Sequence, residues 1–480
     1  RYYLFAVLSS KCTLTAKTTH HKIFYGSKIM KFWQGKFNEG QSPEIARYLS
    51  TYSFDKRLYK HDVMGSIAHC TMLGEQGIIT PEEASILRTA LTQIFYDVTS
   101  GKLVAENETS VFDFLDDALA GKVGEIGKKI NVARTPADRF ALDMRMYAVE
   151  TYSEIANSLK TIAETFTEIA EKNYSTIMPS YYCGVKCQPT TLAHTLTAFA
   201  EAIVRDAERL IDAKKRAAVM PLYSAYGTGV RYNVNRKRVA ELLKLPAVTQ
   251  NSLDAIADTD YVDEFVSISA SIMTHAAKIA NAYVDWNKYG FLQPDASVNS
   301  DSAVVPSVDV PAVFETIVAR AAKISHSLVY NASVYYSQSV YERSEAFFNA
   351  EAIVKSCLDT LIVTIPAYGY NEQAMLKAAT ADFSVAKDCV DYLIDKGSDI
   401  ADAYETVGKL CEYCAEAGKR LDTIDDGIYA GASVLFDTDI VSAMRIKNAT
   451  RLRKHDGEPG EVAVRAEIRA LQRKIKRLFA

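Results

Sequence analysis

Three stretches hold residue types that could carry chemistry. In residues 299–316, NSDSAVVPSVDVPAVFET, Ser302 stands in a small-residue loop ahead of prolines 306 and 311 and an alanine-rich amphipathic run. A serine hydroxyl serves as a base or nucleophile only where a neighbour manages the charge it develops. No lysine occurs between Lys288 and Lys323, and Asp295, Asp301 and Asp309 make the stretch acidic. In residues 180–189, SYYCGVKCQP, Cys183, Lys186 and Cys187 precede His194, but no base is paired with Cys183 in sequence. Cys411 and Cys414 have a spacing that would suit zinc. They fall inside the helical run YETVGKLCEYCAEAGKRL with no second ligand pair, so buried thiols, no metal and no cofactor are expected.

The elements that must position these residues are helices. Runs such as DMRMYAVETYSEIANSLKTIAETFTEIAEKN, TLAHTLTAFAEAIVRDAERLIDAKKRAAV and DEFVSISASIMTHAAKIANAYVDWNKYG repeat apolar residues at three- and four-residue spacings. Proline and glycine fall between the runs, and the lengths without sustained heptads predict a bundle of long helices. One strand signal, TGVRYNV, predicts a hairpin. Breakers divide the chain into an N-terminal helical region over 30–139, a central bundle over 140–367 and a C-terminal helical region over 368–480. Residues 1–29 carry no acidic residue and read as an upstream or disordered extension before Met30.

Composition narrows the function classes. The chain has 480 residues, 48% hydrophobic and 24% charged, with a net charge of -4. That balance supports a sizeable core and gives no basic footprint for nucleic acid. No apolar run approaches the ~18 residues of a membrane span. Eight scattered cysteines suit free thiols in a reducing, cytoplasmic compartment. The terminal helix EVAVRAEIRALQRKIKRLFA is basic and amphipathic, as a solvated face or subunit contact would be.

Several segments carry a likeness: KFWQGKF, SFDKRLYKHDVMGSIAHCTMLGEQGII, ARTPADRFALDMRMY, TIMPSYYCGVKCQPTT, NSLDAIADTDYVDEF and FSVAKDCVDYLIDKG. In their order from Lys31 to about Val464 they resemble argininosuccinate lyase, of the aspartase/fumarase superfamily. The resemblance implies an all-α, three-domain fold with a central five-helix bundle. It also implies a homotetramer whose active sites each draw on three subunits, and anti β-elimination of fumarate. That reaction needs a base, an acid, and cationic groups for the carbanion and the carboxylates.

The family's polar positions are largely replaced here. Ser302 falls on the family's base, but the loop's Gly, Lys and Asn are Asp301, Val308 and Val310. The family's Thr-His acid segment reads Tyr182-Cys183, and its carboxylate-binding segment keeps Arg134 while the second Arg and the Asn become Pro136 and Ala137. Thr135, Pro136 and Asp138 read instead as N-cap, N1 and N3 of a helix. The family's His and Glu near 112–116 fall on Phe112 and Asp116, an Arg on Thr259, and a Gln and a Lys on Tyr341 and Ser344. Thr51, Asp55, Arg134, Tyr336 and His194 remain as family-matching substrate-binding positions. The expectation is an argininosuccinate lyase-like protein with its ancestral activity impaired or absent. The alternatives are a lyase with a changed substrate, or residual argininosuccinate lyase activity. Its expected partners are copies of itself in a homotetramer, or an intact paralogue in a heterotetramer, with a small anionic metabolite as any ligand.

Overall fold

A computed structural model of the chain describes residues 42–105, 110–295, 309–331, 339–380 and 383–480. Two compact units are distinguished, 1–48 and 49–480. Helix α1 (Pro43–Tyr48) lies in the first, and every other described element lies in the second.

The second unit begins with α2 (Tyr52–Asp55), α3 (Tyr59–Glu75), α4 (Pro81–Thr99), α5 (Val111–Val123) and α6 (Glu125–Lys128). Helix α4 starts where Thr80 caps Glu83 N and Glu83 caps in return, with Pro81 at the first helical position. This arrangement satisfies donors that a helix start leaves open. The long helices follow: α7 (Pro136–Lys172), α8 (Leu192–Ala217), α11 (Asp260–Lys288), α12 (Asp309–Asn331) and α13 (Ser339–Thr364), with short α9 (Arg236–Leu242) and α10 (Ser252–Ala257) between. The 37 residues of α7 span about 55 Å.

Helices α7 and α8 are antiparallel: Arg145 of α7 donates to the carbonyls of Arg216 and Ala217 at the far end of α8. Helices α11 and α13 run parallel to α7, which meets Phe265 and Phe347 through the ring of Tyr152. Leu159, Ile162, Phe166, Leu196, Ile203, Ile272 and Leu358 are among the side chains closed into this core.

The last stretch holds α14 (Glu372–Ala379), α15 (Ala386–Asp395), α16 (Ile400–Glu416), α17 (Asp426–Ala432), α18 (Ile440–Ala443), α19 (Ile446–Arg451) and α20 (Glu461–Leu478). Residues of 385–449 form their own small core around Leu393, Leu410 and Tyr429. Helix α20 returns to the main core through Val464, Ile468, Leu471 and Ile475, against α7 and α8.

Strands are few and short: β1 (Ile177–Tyr182) pairs antiparallel with β2 (Val185–Thr191), β3 (Val219–Met220) pairs with β4 (Ala247–Val248), and β5 (Leu292–Pro294) pairs with β6 (Tyr368–Tyr370). The hairpin expected at TGVRYNV is not formed; that stretch is irregular. The hairpin lies instead at β1–β2, where Cys183 and Gly184 take φ of 50° and 76° across a two-residue turn. Positive φ at both turn residues matches the twist of antiparallel strands. Prolines 179 and 189 and a register shift near Ser180 interrupt the alternation that would have marked these strands in the sequence.

Candidate functional site

The charged groups around the start of α7 form one enclosed network. Thr135 and Asp138 make a reciprocal capping box with Pro136 at the first helical position, in their expected roles. Asp138 does more: its second oxygen accepts from the backbone N–H groups of Tyr223 and Ala225, at 2.9 and 3.1 Å. Both residues have positive φ, 72° and 51°. Non-glycine residues adopt that conformation only when surrounding contacts hold it. Burial pushes the Asp138 carboxyl up, against four hydrogen bonds that favour its charge.

One residue on, Arg139 binds Asp62 of α3 through two bonds of 2.5 and 2.8 Å and Asp116 of α5 at 2.9 Å. Its guanidinium carbon lies 4.9 Å from the centre of the Phe112 ring. Burial opposes ionisation of Asp62, but the charge and hydrogen bonds of Arg139 outweigh it and hold Asp62 below the usual carboxylate range. Asp143, one turn along α7, is pushed well above that range by burial and by Asp62. A neutral Asp143 can donate to the ionised Asp62. Arg134 donates to Ser66 at 2.8 Å and to Asn131 at 3.3 Å, and Asn131 donates to Asp116 at 2.8 Å. Arg134 is only 8% exposed, and its Nη2 is buried with no hydrogen-bond partner among the described residues.

Thr51 and Asp55 join the same end. Thr51 Oγ1 donates to Asp55 at 2.6 Å, and the other Asp55 oxygen accepts from Val111 N at 3.0 Å. Burial pushes the Asp55 carboxyl from 3.8 to about 6, with Asp113 and Asp62 adding to the rise against those two hydrogen bonds. Above it the space is aromatic. The Phe140 and Tyr341 rings lie 4.2 Å apart, and Phe112 meets Phe140 edge-on at 6.4 Å. Ser344 turns back to the Tyr341 carbonyl and is 1% exposed.

His194 is elsewhere. It sits in the first turn of α8, its backbone N–H on the capping Thr191. Its Nδ1 lies 3.7 Å from a Glu467 oxygen of α20. Arg134 precedes α7, whereas His194 follows the hairpin at its other end, so the length of α7, about 55 Å, lies between them. A single chain brings Thr51, Asp55 and Arg134 together and leaves His194 apart. Ser302 and Tyr336 lie outside the described residues.

The sequence reading did not pick out the Asp62–Arg139–Asp143 network. Its one signal was acidic and basic residues at helix positions that otherwise belong to the apolar face. Cys183 is exposed and Cys187 partly so at the hairpin, while Cys389 and Cys414 are buried in the small core and Cys411 lies beside them. Among the described residues no cluster of three or more His, Cys, Asp or Glu side chains is arranged to hold a metal. None of the described helices is long and apolar enough to cross a membrane.

Comparison with known proteins accounts for this frame. Residues 35–322 match a family described as lyase, and residues 383–451 match one described as argininosuccinate lyase C-terminal. The chain is 34% identical over 460 residues to the argininosuccinate lyase of Desulforamulus reducens, covering 94% of this chain and 100% of that protein. It is 33% identical to that of Pelotomaculum thermopropionicum, covering 93% and 99%. Among solved structures, an EDDS lyase in complex with formate superposes with a TM-score of 0.78 at 22% identity, covering 92% of this chain and 91% of that one. The 3-carboxy-cis,cis-muconate lactonizing enzyme of Pseudomonas putida superposes at 0.70 with 14% identity, covering 91% and 98%. An all-α core of long helices with a short helical C-terminal region, and near-complete alignment to these lyases, make this chain a member of the argininosuccinate lyase family within the aspartase/fumarase superfamily.

Proposed function

We propose that the chain is an argininosuccinate lyase homologue in which the ancestral elimination of fumarate from argininosuccinate is lost or strongly impaired. The observation that carries this reading is the packing of Phe112, Phe140 and Tyr341. By the family resemblance, Phe112 and Tyr341 stand at positions of a His and a Gln. Rings in contact leave few polar groups to receive a dicarboxylate. Of the nearby cations, Arg139 is engaged by Asp62 and Asp116, and Arg134 is buried with two of its donors on Ser66 and Asn131 and its Nη2 open. Burial raises the Asp55 carboxyl, and the charges of Asp113 and Asp62 add to the rise and oppose an anionic substrate.

Elimination requires a base, an acid and stabilisation of a carbanion next to a carboxylate. Ser302 keeps the position of the base, but Val308 replaces the family's carbanion-stabilising Lys, and Cys183 replaces the acid-segment His. Loss of one preorganised charge-stabilising donor slows catalysis by roughly 100- to 1,000-fold. The two losses together predict turnover too slow to sustain a pathway.

The separation of His194 from Thr51, Asp55 and Arg134 favours a site assembled from several copies, and hence a tetramer. A chain that keeps this frame can also enter a heterotetramer with an intact paralogue and change its activity. Seven described cysteines are free, as a cytoplasmic protein's would be. The reading is tested in an arginine auxotroph lacking its own lyase. Expression of the full chain should not restore growth without arginine, and restored growth would overturn the proposal.

A further inference from the structure

At the end of the bundle opposite the Arg139 network, the β1–β2 hairpin, the first turns of α8 and the last turn of α11 enclose a recess of about 390 Å³. Among the described residues its lining has no lysine or arginine. It includes the rings of Tyr181, Trp286 and Tyr289, the imidazole of His194 and the carboxylate of Asp285.

The rings of Tyr181 and Tyr289 are nearly parallel, 8° apart in plane with centres 5.3 Å apart. The Lys288 ammonium lies over the Tyr289 ring, 5.9 Å from its centre, so this stack already attracts a cation. Trp286 is held by Tyr283 and Phe199, which fixes the recess floor. Asp285 is exposed. Its charge lies close enough to Tyr181 to help push that phenol up to about 12, after burial and Tyr289. The Tyr181 hydroxyl is buried and makes no hydrogen bond among the described residues.

Electron-rich ring faces attract cations, and a carboxylate beside them fixes where the charge sits. The oxygen of a hydroxyl left without a partner can accept from a ligand that brings N–H donors. An anion would meet Asp285 and the negative ring faces, with no lysine or arginine among the described lining residues to balance it. We propose that this recess binds a small organic cation with N–H donors, of the amidinium or primary ammonium kind. The cation sits against Tyr181 with its charge opposite Asp285. The recess shares His194 with the family-matching substrate-binding positions, and binding there is tested without turnover of argininosuccinate.

The probes are benzamidinium and its neutral isostere benzamide. The chain has two tryptophans, so a Trp33→Phe background leaves Trp286 as the reporter in fluorescence titrations of the full chain. Saturable quenching by benzamidinium, with benzamide at least about tenfold weaker, is the expected result. Asp285→Asn should erase most of that preference. Because Asp285 is exposed, this variant should keep the parent's melting temperature. Tyr181→Leu should weaken benzamidinium and leave the Trp286 emission maximum unchanged. Equal affinity for the two probes, a preference that survives Asp285→Asn, or no saturable quenching would each overturn the proposal.

Discussion

Replacing Asp55 by Asn should reverse the sign of its effect on stability between acid and neutral pH. The folded chain holds the Asp55 proton up to about pH 6, whereas an unperturbed carboxyl loses it near 3.8. Across that interval the folded state binds more protons than the unfolded state. Wild-type stability therefore falls as pH rises, and the neutral amide escapes this loss. The shift of about two units corresponds to about 3 kcal/mol at neutral pH, of which about 2 kcal/mol develops between about pH 4 and about pH 7. A pH-independent cost acts the other way. An amide cannot accept from both Thr51 and Val111 with two oxygens, and loses about 1 to 1.5 kcal/mol. The Asn variant should be less stable than wild type by about 0.5 to 1 kcal/mol near pH 4, and more stable by about 1.5 to 2 kcal/mol near pH 7. Urea unfolding of both proteins across this range, read as a difference so that other titrating groups cancel, checks it. A difference that stays constant with pH, or moves against the variant, would refute the burial-driven rise of Asp55.

Further outcomes follow from the same geometry. Asp62→Asn and Asp143→Asn should be non-additive: with Asp62 neutral, Asp143 can ionise beside Arg139, so the double variant, which leaves Arg139 only Asp116, should cost more than the sum of the two single variants. Additive unfolding free energies, within about 0.5 kcal/mol, would contradict proton sharing. The Asp143→Asn variant should gain on wild type as pH rises above 3.8, because the unfolded chain ionises Asp143 there and the folded chain does not. In native thiol titration Cys183 should react ahead of Cys70 and Cys389, whose thiols burial pushes up to about 11 and about 12. Mass mapping of labelled peptides reads that order.

Much of the frame could be read from the sequence because it is written in periodicity and caps. The α7 capping box needs only Thr135, Pro136 and Asp138, a local pattern, and the long helices declare themselves through repeated apolar positions. What escaped was non-local. Arg139 finds Asp62 across 77 residues of chain, and Tyr341 meets Phe140 across two hundred. The β1–β2 hairpin escaped for a local reason, since two prolines and a register shift erase strand alternation while Cys183 takes a turn position usually given to Asn or Gly. The distance between His194 and Arg134 also emerged only with the fold, because it depends on the length of α7 and not on spacing in a motif.

The most direct measurement of the central claim is fumarate release from argininosuccinate by the purified full chain, beside an intact family member. The packed rings at Phe112, Phe140 and Tyr341, together with the replaced acid and carbanion-stabilising positions, predict release more than ~100-fold slower than the intact enzyme. Release within ~100-fold of it would contradict the account, because any one of those losses should cost that much.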